Sequence, residues 1–186
     1  MSGDNPVMHT SEQYDQAILT CENIFLQKAK DYGTSWRVYR TISVADQLYI
    51  KAKRIRTIQD KGKQRISDDV ISEFMGMLNY AIIGLIQLSI NNDDPEDLPV
   101  DTVREMYNEK VAIAKKLMLD KNHDYDEAWR DMSQESLVDL ILAKVLRIKQ
   151  ILANKGQTLV SEGIDANYYD IINYAAFALI LDSEER

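Results

Sequence analysis

Two sets of one acid and two bases stand out as residues able to do chemistry. Asp46, Lys51 and Arg54 recur as Asp139, Lys144 and Arg147. A lysine and an arginine three apart share a helix face, and such a pair can clamp phosphate oxygens. The same residues also suit salt bridges within or between helices. A second set lies in an otherwise apolar stretch, where Asn167, Asp170 and Tyr174 form one stripe at helical spacing. Its counterpart is Glu73, Gly76 and Tyr80, with Asn79 beside it and Asn173 beside Tyr174. Carboxylates and amides facing the inside of a helical bundle are the arrangement of oxygen-ligated metal sites. A solvated face or a hydrogen-bonded core asparagine gives the same pattern. The third set is Asp31-Tyr32-Gly33-Thr34-Ser35-Trp36-Arg37 and Asp124-Tyr125-Asp126-Glu127-Ala128-Trp129-Arg130. Here Tyr32, Trp36, Tyr125 and Trp129 can stack on a base and the arginines can meet phosphate, or the rings can plug the end of a bundle.

Other chemistries are poorly served. The chain has no phosphate-binding Gly-rich loop, no dinucleotide fingerprint and no nucleophile with an evident base. His9 and His123 have no partner histidine at metal spacing, which argues against zinc. The one cysteine, Cys21, excludes an internal disulfide and reads as a small core residue, with the cytoplasm as the default compartment. A net charge of −8 argues against generic nucleic-acid or anionic-membrane binding. An acidic protein can still bind a nucleotide if Mg²⁺ bridges carboxylates to phosphates. The apolar runs are broken by Asn, Gln or Gly before they reach the length of a membrane span. Residues 1–10 read as a loose tail and not as a signal peptide.

These sets must be positioned by elements, and the elements repeat. Displaced by about 93 residues, the chain matches itself: Tyr14 meets Tyr107, Lys28 meets Lys121, Trp36 meets Trp129 and Ile58 meets Ile151. One inserted residue then shifts the register, so that Lys61-Gly62 meets Lys155-Gly156 and Asn79-Tyr80-Ala81 meets Asn173-Tyr174-Ala175. The expected fold is all-α: a helical bundle of two tandem three-helix repeats related by a pseudo-twofold axis. Residues 11–91 form repeat 1, 92–100 an acidic, Pro-bounded linker, and 101–186 repeat 2. Helices are expected over about 11–30, 43–60 and 67–90, then 101–121, 136–153 and 161–181. Ser43, Ser67 and Asp101 serve as N-caps and Gly62 as a C-cap. Apolar positions recur at three and four, which is the helical period.

At these residues the chain resembles the nucleotide modification associated domain 1 family. The pattern is Lys, Asp-Tyr-Gly and Trp, then Asp, Lys and Arg-Ile, then an acidic helix start and Asn-Tyr-Ala, once per repeat from about Tyr14 to Asp182. The resemblance implies an association with the metabolism of nucleotides or modified bases. A more distant resemblance is to the MazG-like all-α NTP pyrophosphatases, which hold Mg²⁺ on acidic helix motifs. Glu73 supplies the first half of one such motif and Asp170 the second, in different repeats. The other acidic pair of that family is missing, and Asp46 and Asp139 are the only repeated acids on the second helices.

The leading expectation is therefore a nucleotide-binding bundle, with Mg²⁺-dependent pyrophosphohydrolysis of a nucleoside triphosphate as its enzymatic form. In that form Glu73 and Asp170 are the catalytic candidates. Asp46, Glu73, Asp139, Glu162 and Asp170 would hold Mg²⁺. Lys51, Arg54, Lys144, Arg147, Tyr32, Trp36, Tyr125, Trp129, Asn79 and Asn173 would bind the nucleotide. The alternatives are a non-catalytic nucleotide-binding or regulatory module and a structural interaction domain. The oligomeric state is open, with a homodimer among the options. Arg54 and Arg147 are each expected to meet a carboxylate on a neighbouring helix.

Overall fold

The computed structural model describes residues 6–62, 69–90, 93–155 and 163–185. Six α-helices and two single 3-10 turns account for the architecture, and the described residues include no strand. Repeat 1 consists of α1 (Pro6–Tyr32), α2 (Thr41–Lys61) and α3 (Asp69–Ser89). Repeat 2 consists of α4 (Val100–Tyr125), α5 (Gln134–Ala153) and α6 (Ile164–Glu185). The 3-10 turns Ser35–Val38 and Ala128–Asp131 carry Trp36 and Trp129, so the tryptophans sit at matching corners.

The most apolar helices, α3 and α6, make the most extensive contact and form the centre. Each third helix packs on its own second helix, and α2 packs on α5 across the pseudo-twofold. The first helices cross over, with α1 touching α6 and α4 touching α3. The core is one continuous cluster from both repeats, including Tyr14, Leu48, Ile82, Tyr107, Ile141 and Tyr168. The close approach of α3 and α6 depends on Gly84: a Cβ there would lie 2.4 Å from the Tyr168 ring. The segment Val70–Ser89 is long and apolar enough to cross a bilayer, but here it is the core helix and mostly buried.

Several helix ends differ from the expected caps. α2 begins ahead of Ser43, at Thr41, and the Ser43 N–H donates to the Arg40 carbonyl. α5 is capped by Ser133, whose side chain accepts from the Ser136 N–H at 3.1 Å, so Ser136 lies inside the helix. In α4 Pro99 is the cap and Asp101 lies in the first turn, paired with Arg104. α1 starts at Pro6, five residues before Ser11, and so takes in His9 and Thr10. Gly62 closes α2 in the left-handed region, as a C-cap glycine should. Ser67, Gly156, Ser161 and Glu162 lie outside the described residues.

The segment joining the repeats is docked. The Thr34 hydroxyl donates to the Glu96 carbonyl at 2.6 Å and accepts from the Leu98 N–H at 2.9 Å. The Arg37 guanidinium donates to the carbonyls of Pro95 and Asp94 and to Gln87. Arg37 is thereby a structural clamp. Arg130, its counterpart, holds Glu127 and Glu184 and lies over the Trp129 ring.

Candidate functional site

Each repeat has a cavity at the same place, between its first helix, its third helix and its tryptophan turn. The repeat-1 cavity is about 260 Å³ and the repeat-2 cavity about 130 Å³. Lys28, Tyr32, Trp36, Asn79 and Tyr80 line the first; Lys121, Tyr125, Trp129, Asn173 and Tyr174 occupy the same positions in the second. Tyr32 and Tyr125 stand at the mouths, 74% and 72% exposed. The tryptophans are walls and not platforms in solvent. Trp36 is buried near Phe25, and Trp129 stacks on Phe177 at 4.2 Å.

The chemical difference lies at one position. Where repeat 1 has Gly76, repeat 2 has Asp170. Asp170 receives Lys121 from α4 on one oxygen at 2.9 Å and Lys144 from α5 on the other at 2.8 Å. That bridge ties three helices and sets a cation-bound carboxylate in the cavity lining. In repeat 1 the acid stands one turn earlier, at Glu73, outside the cavity lining. Glu73 takes Arg54 at 2.6 Å on one oxygen and Lys51 at 3.3 Å on the other. The Lys51 ammonium lies against the bare Gly76, where a Cβ would approach it to 3.1 Å, and 5.7 Å from the Tyr80 ring centre. The repeat-1 lining thus contains two lysines and no carboxylate, whereas that of repeat 2 contains one lysine and one aspartate.

Tyr80 stacks beside Tyr39, and burial, with the Tyr39 neighbour, pushes its phenol up to about 12. It stays a neutral hydrogen-bonding ring throughout the physiological range. Asn79 and Asn173 make core hydrogen bonds. Asn79 accepts from the Tyr107 hydroxyl at 2.8 Å and donates to the Cys21 carbonyl. Asn173 accepts from the Tyr14 hydroxyl at 2.8 Å and donates to the Ala114 carbonyl. Both amides line the cavities while tying the first helices to the third.

The other expected residues are dispersed. Asp46 meets Lys149 at 2.8 Å and Asp139 meets Arg56 at 3.8 Å. These are reciprocal bridges between α2 and α5 that explain why the aspartates repeat. Arg54 has the expected carboxylate on a neighbouring helix. Arg147 has none among the described residues, because the counterpart of Glu73 is Asn167. Among the described residues no three of His, Cys, Asp and Glu gather in a metal-sized group. With Glu73 and Asp170 already held by cations, and Asp46 and Asp139 at the interface, the described residues do not compose a resident Mg²⁺ site. Glu162 lies outside them.

Lys28 and Lys121 were missed as site residues, and so was Tyr39. The two lysines carried a signal, since they recur in register, but they fall outside the acid-and-base set on the second helices. Tyr39 carried none, because Met132 stands at its place in repeat 2.

Comparison with known proteins gives one family. No curated protein and no solved structure matches the chain. The model of the family described as nucleotide modification associated domain 1 matches twice, over residues 28–88 and 121–181. The matches begin at Lys28 and Lys121 and span both tryptophan turns and most of the lining of both cavities. Covering more than half of the sequence in two tandem copies, they establish that the chain belongs to the nucleotide modification associated domain 1 family.

Proposed function

We propose that the protein binds a nucleotide in the repeat-1 cavity. The observation that carries this reading is Gly76. By withholding a side chain it leaves Lys51 facing a cavity whose lining has a second lysine, Lys28, and no carboxylate. Lys28 meets no carboxylate in the lining and Lys51 shares Glu73 with Arg54, so this partly enclosed site keeps positive charge that suits a phosphate. The lining also suits a base: Trp36, Tyr39 and Tyr80 are aromatic lining residues, and Tyr32 stands at the mouth. The family's description, which refers to nucleotide modification, is consistent with this ligand.

Binding is favoured over pyrophosphohydrolysis because Glu73 and Asp170 are each spent on cations of their own repeat. The test is a thermal-shift series of nucleotides with and without Mg²⁺, with pyrophosphate release measured in parallel. A ligand specific to the native state raises Tm in a saturable way, and Lys51→Ala should remove most of that rise. If no nucleotide stabilises the wild type, the reading fails. Mg²⁺-dependent release of pyrophosphate would restore the enzymatic form.

A further inference from the structure

Repeat 2 shows the same cavity with an anion already in it. Lys121 and Lys144, the counterparts of Lys28 and Lys51, converge on opposite oxygens of the Asp170 carboxylate at 2.9 and 2.8 Å. That carboxylate grows from the helix position occupied in repeat 1 by Gly76. It marks where an anionic group sits when both lysines close on it. In repeat 1 the position carries no side chain, the cavity is twice as large, and both lysines line it.

Charge and size narrow the ligand. A phosphate monoester carries about −1.5 to −2 at pH 7, which Lys28 and Lys51 balance once Lys51 turns from Glu73 and leaves that acid to Arg54. The β and γ phosphates of a triphosphate would bring further charge, and the lining has no further cation to meet it. Arg54 is not in the lining and is held by Glu73. A cavity of about 260 Å³ is also below the range of about 300–1,000 Å³ usual for drug-sized ligands. Resting on the nucleotide reading above, we propose that the ligand is a nucleoside 5′-monophosphate, bound once per chain. Its phosphate sits over Gly76 between Lys28 and Lys51. The repeat-2 cavity is a site shut by its own aspartate.

Titration calorimetry of the full chain tests this, using nucleoside and 2′-deoxynucleoside 5′-monophosphates, the matching triphosphates and inorganic phosphate. The expected result is one site per chain, with a monophosphate bound at least as tightly as its triphosphate. Gly76→Asp, which installs in repeat 1 the carboxylate repeat 2 already has, should weaken binding at least tenfold while leaving the helical circular dichroism unchanged. The atoms nearest an added Cβ belong to the flexible end of Lys51, which can move aside. Lys28→Ala, at an exposed position with no bearing on folding, should weaken binding about tenfold. Two equal sites, or wild-type affinity in Gly76→Asp or Lys28→Ala, would overturn the assignment. Triphosphate binding without monophosphate binding would overturn the ligand class and leave the nucleotide reading standing. Inorganic phosphate binding as tightly as every monophosphate would show that the cavity reads only an anion. If nothing binds, both readings fall.

Discussion

The hydroxyl of Tyr14, on the first helix of repeat 1, donates to Oδ1 of Asn173, on the last helix of repeat 2, at 2.8 Å. Tyr107 and Asn79 make the same bond in the opposite sense, also at 2.8 Å. All four side chains are buried. Each repeat therefore keeps the donor for the other's core amide, and the duplicated units are interlocked by polar bonds as well as by the α3–α6 core.

Breaking one of these bonds leaves a buried acceptor without a donor. Tyr14→Phe and Tyr107→Phe should each lower unfolding free energy by about 1–3 kcal/mol, measured by urea denaturation. The two costs should be nearly additive if the bonds are independent. Repeat 1 expressed without repeat 2 should be poorly folded by circular dichroism. A stable, cooperative single repeat would show that the interlock is incidental.

A different response is expected where α3 and α6 touch most closely. The Tyr168 ring lies on Gly84, and its hydroxyl is buried with no hydrogen-bond partner among the described residues. Tyr168→Phe should be neutral or stabilising by up to about 1 kcal/mol, because it removes an unsatisfied polar atom. Gly84→Ala should cost about 1–3 kcal/mol through overpacking, despite alanine's better helix propensity. If Gly84→Ala is as stable as the wild type, the close approach is not what selects glycine.

Sequence repetition made much of this fold legible. Periodicity at three and four, the Gly62 stop and the matched tryptophans gave three helices per repeat, and the apolar third helices came out central. Repetition said less about what each residue does. Asp46 and Asp139 looked like ligands because they repeat, but they repeat because a pseudo-twofold interface needs its bridges to Lys149 and Arg56 twice. Tyr14 and Tyr107 were visible as identities, yet nothing local says that their partners are Asn173 and Asn79, because the crossing of α1 to α6 is a tertiary fact. The cavity hides for a related reason. Its decisive residue, Gly76, is an absence, and it acquires meaning only when Lys51 is seen resting against it.

Alkaline pH gives a further test of the buried hydroxyls. Burial raises the Tyr14 and Tyr107 phenols well above their ordinary 10.0, and burial pushes the Cys21 thiol up to about 12. Below about pH 8 each group is protonated in both folded and unfolded chains, so it adds no pH dependence; the Cys21 thiol is the first to add one, as pH passes the ordinary thiol range of about 8.5. As pH rises through 10 the unfolded chain releases these protons while the folded chain keeps them, and stability falls. The urea midpoint should be flat from pH 7 to 8, begin to fall near pH 9 through Cys21 and fall more steeply above pH 10, with a shallower drop above pH 10 in the Tyr14→Phe, Tyr107→Phe double variant. At pH 8 a thiol reagent should label Cys21 only on unfolding. Fast labelling of the native protein would contradict its complete burial.

Asp170 and Glu73 separate the binding reading from the catalytic one. Both carboxylates carry two cations, but the surroundings differ. Lys144 beside Asp170 is largely buried, whereas Arg54 beside Glu73 is about half exposed. Asp170→Asn strands Lys144 without its counter-charge and should cost about 3 kcal/mol. Glu73→Gln should cost less, about 1–2 kcal/mol, because solvent reaches Arg54. Their effects on ligand should also diverge. Glu73 competes with a bound phosphate for Lys51, so Glu73→Gln should bind a nucleoside monophosphate severalfold more tightly. Asp170→Asn should leave that affinity unchanged, because it acts in the other repeat. If the acids instead held a catalytic metal, both substitutions would abolish pyrophosphate release with little effect on stability. Measuring unfolding free energy, monophosphate affinity and pyrophosphate release on the same three proteins decides between them. A fully stable, inactive Asp170→Asn would return that residue to catalysis.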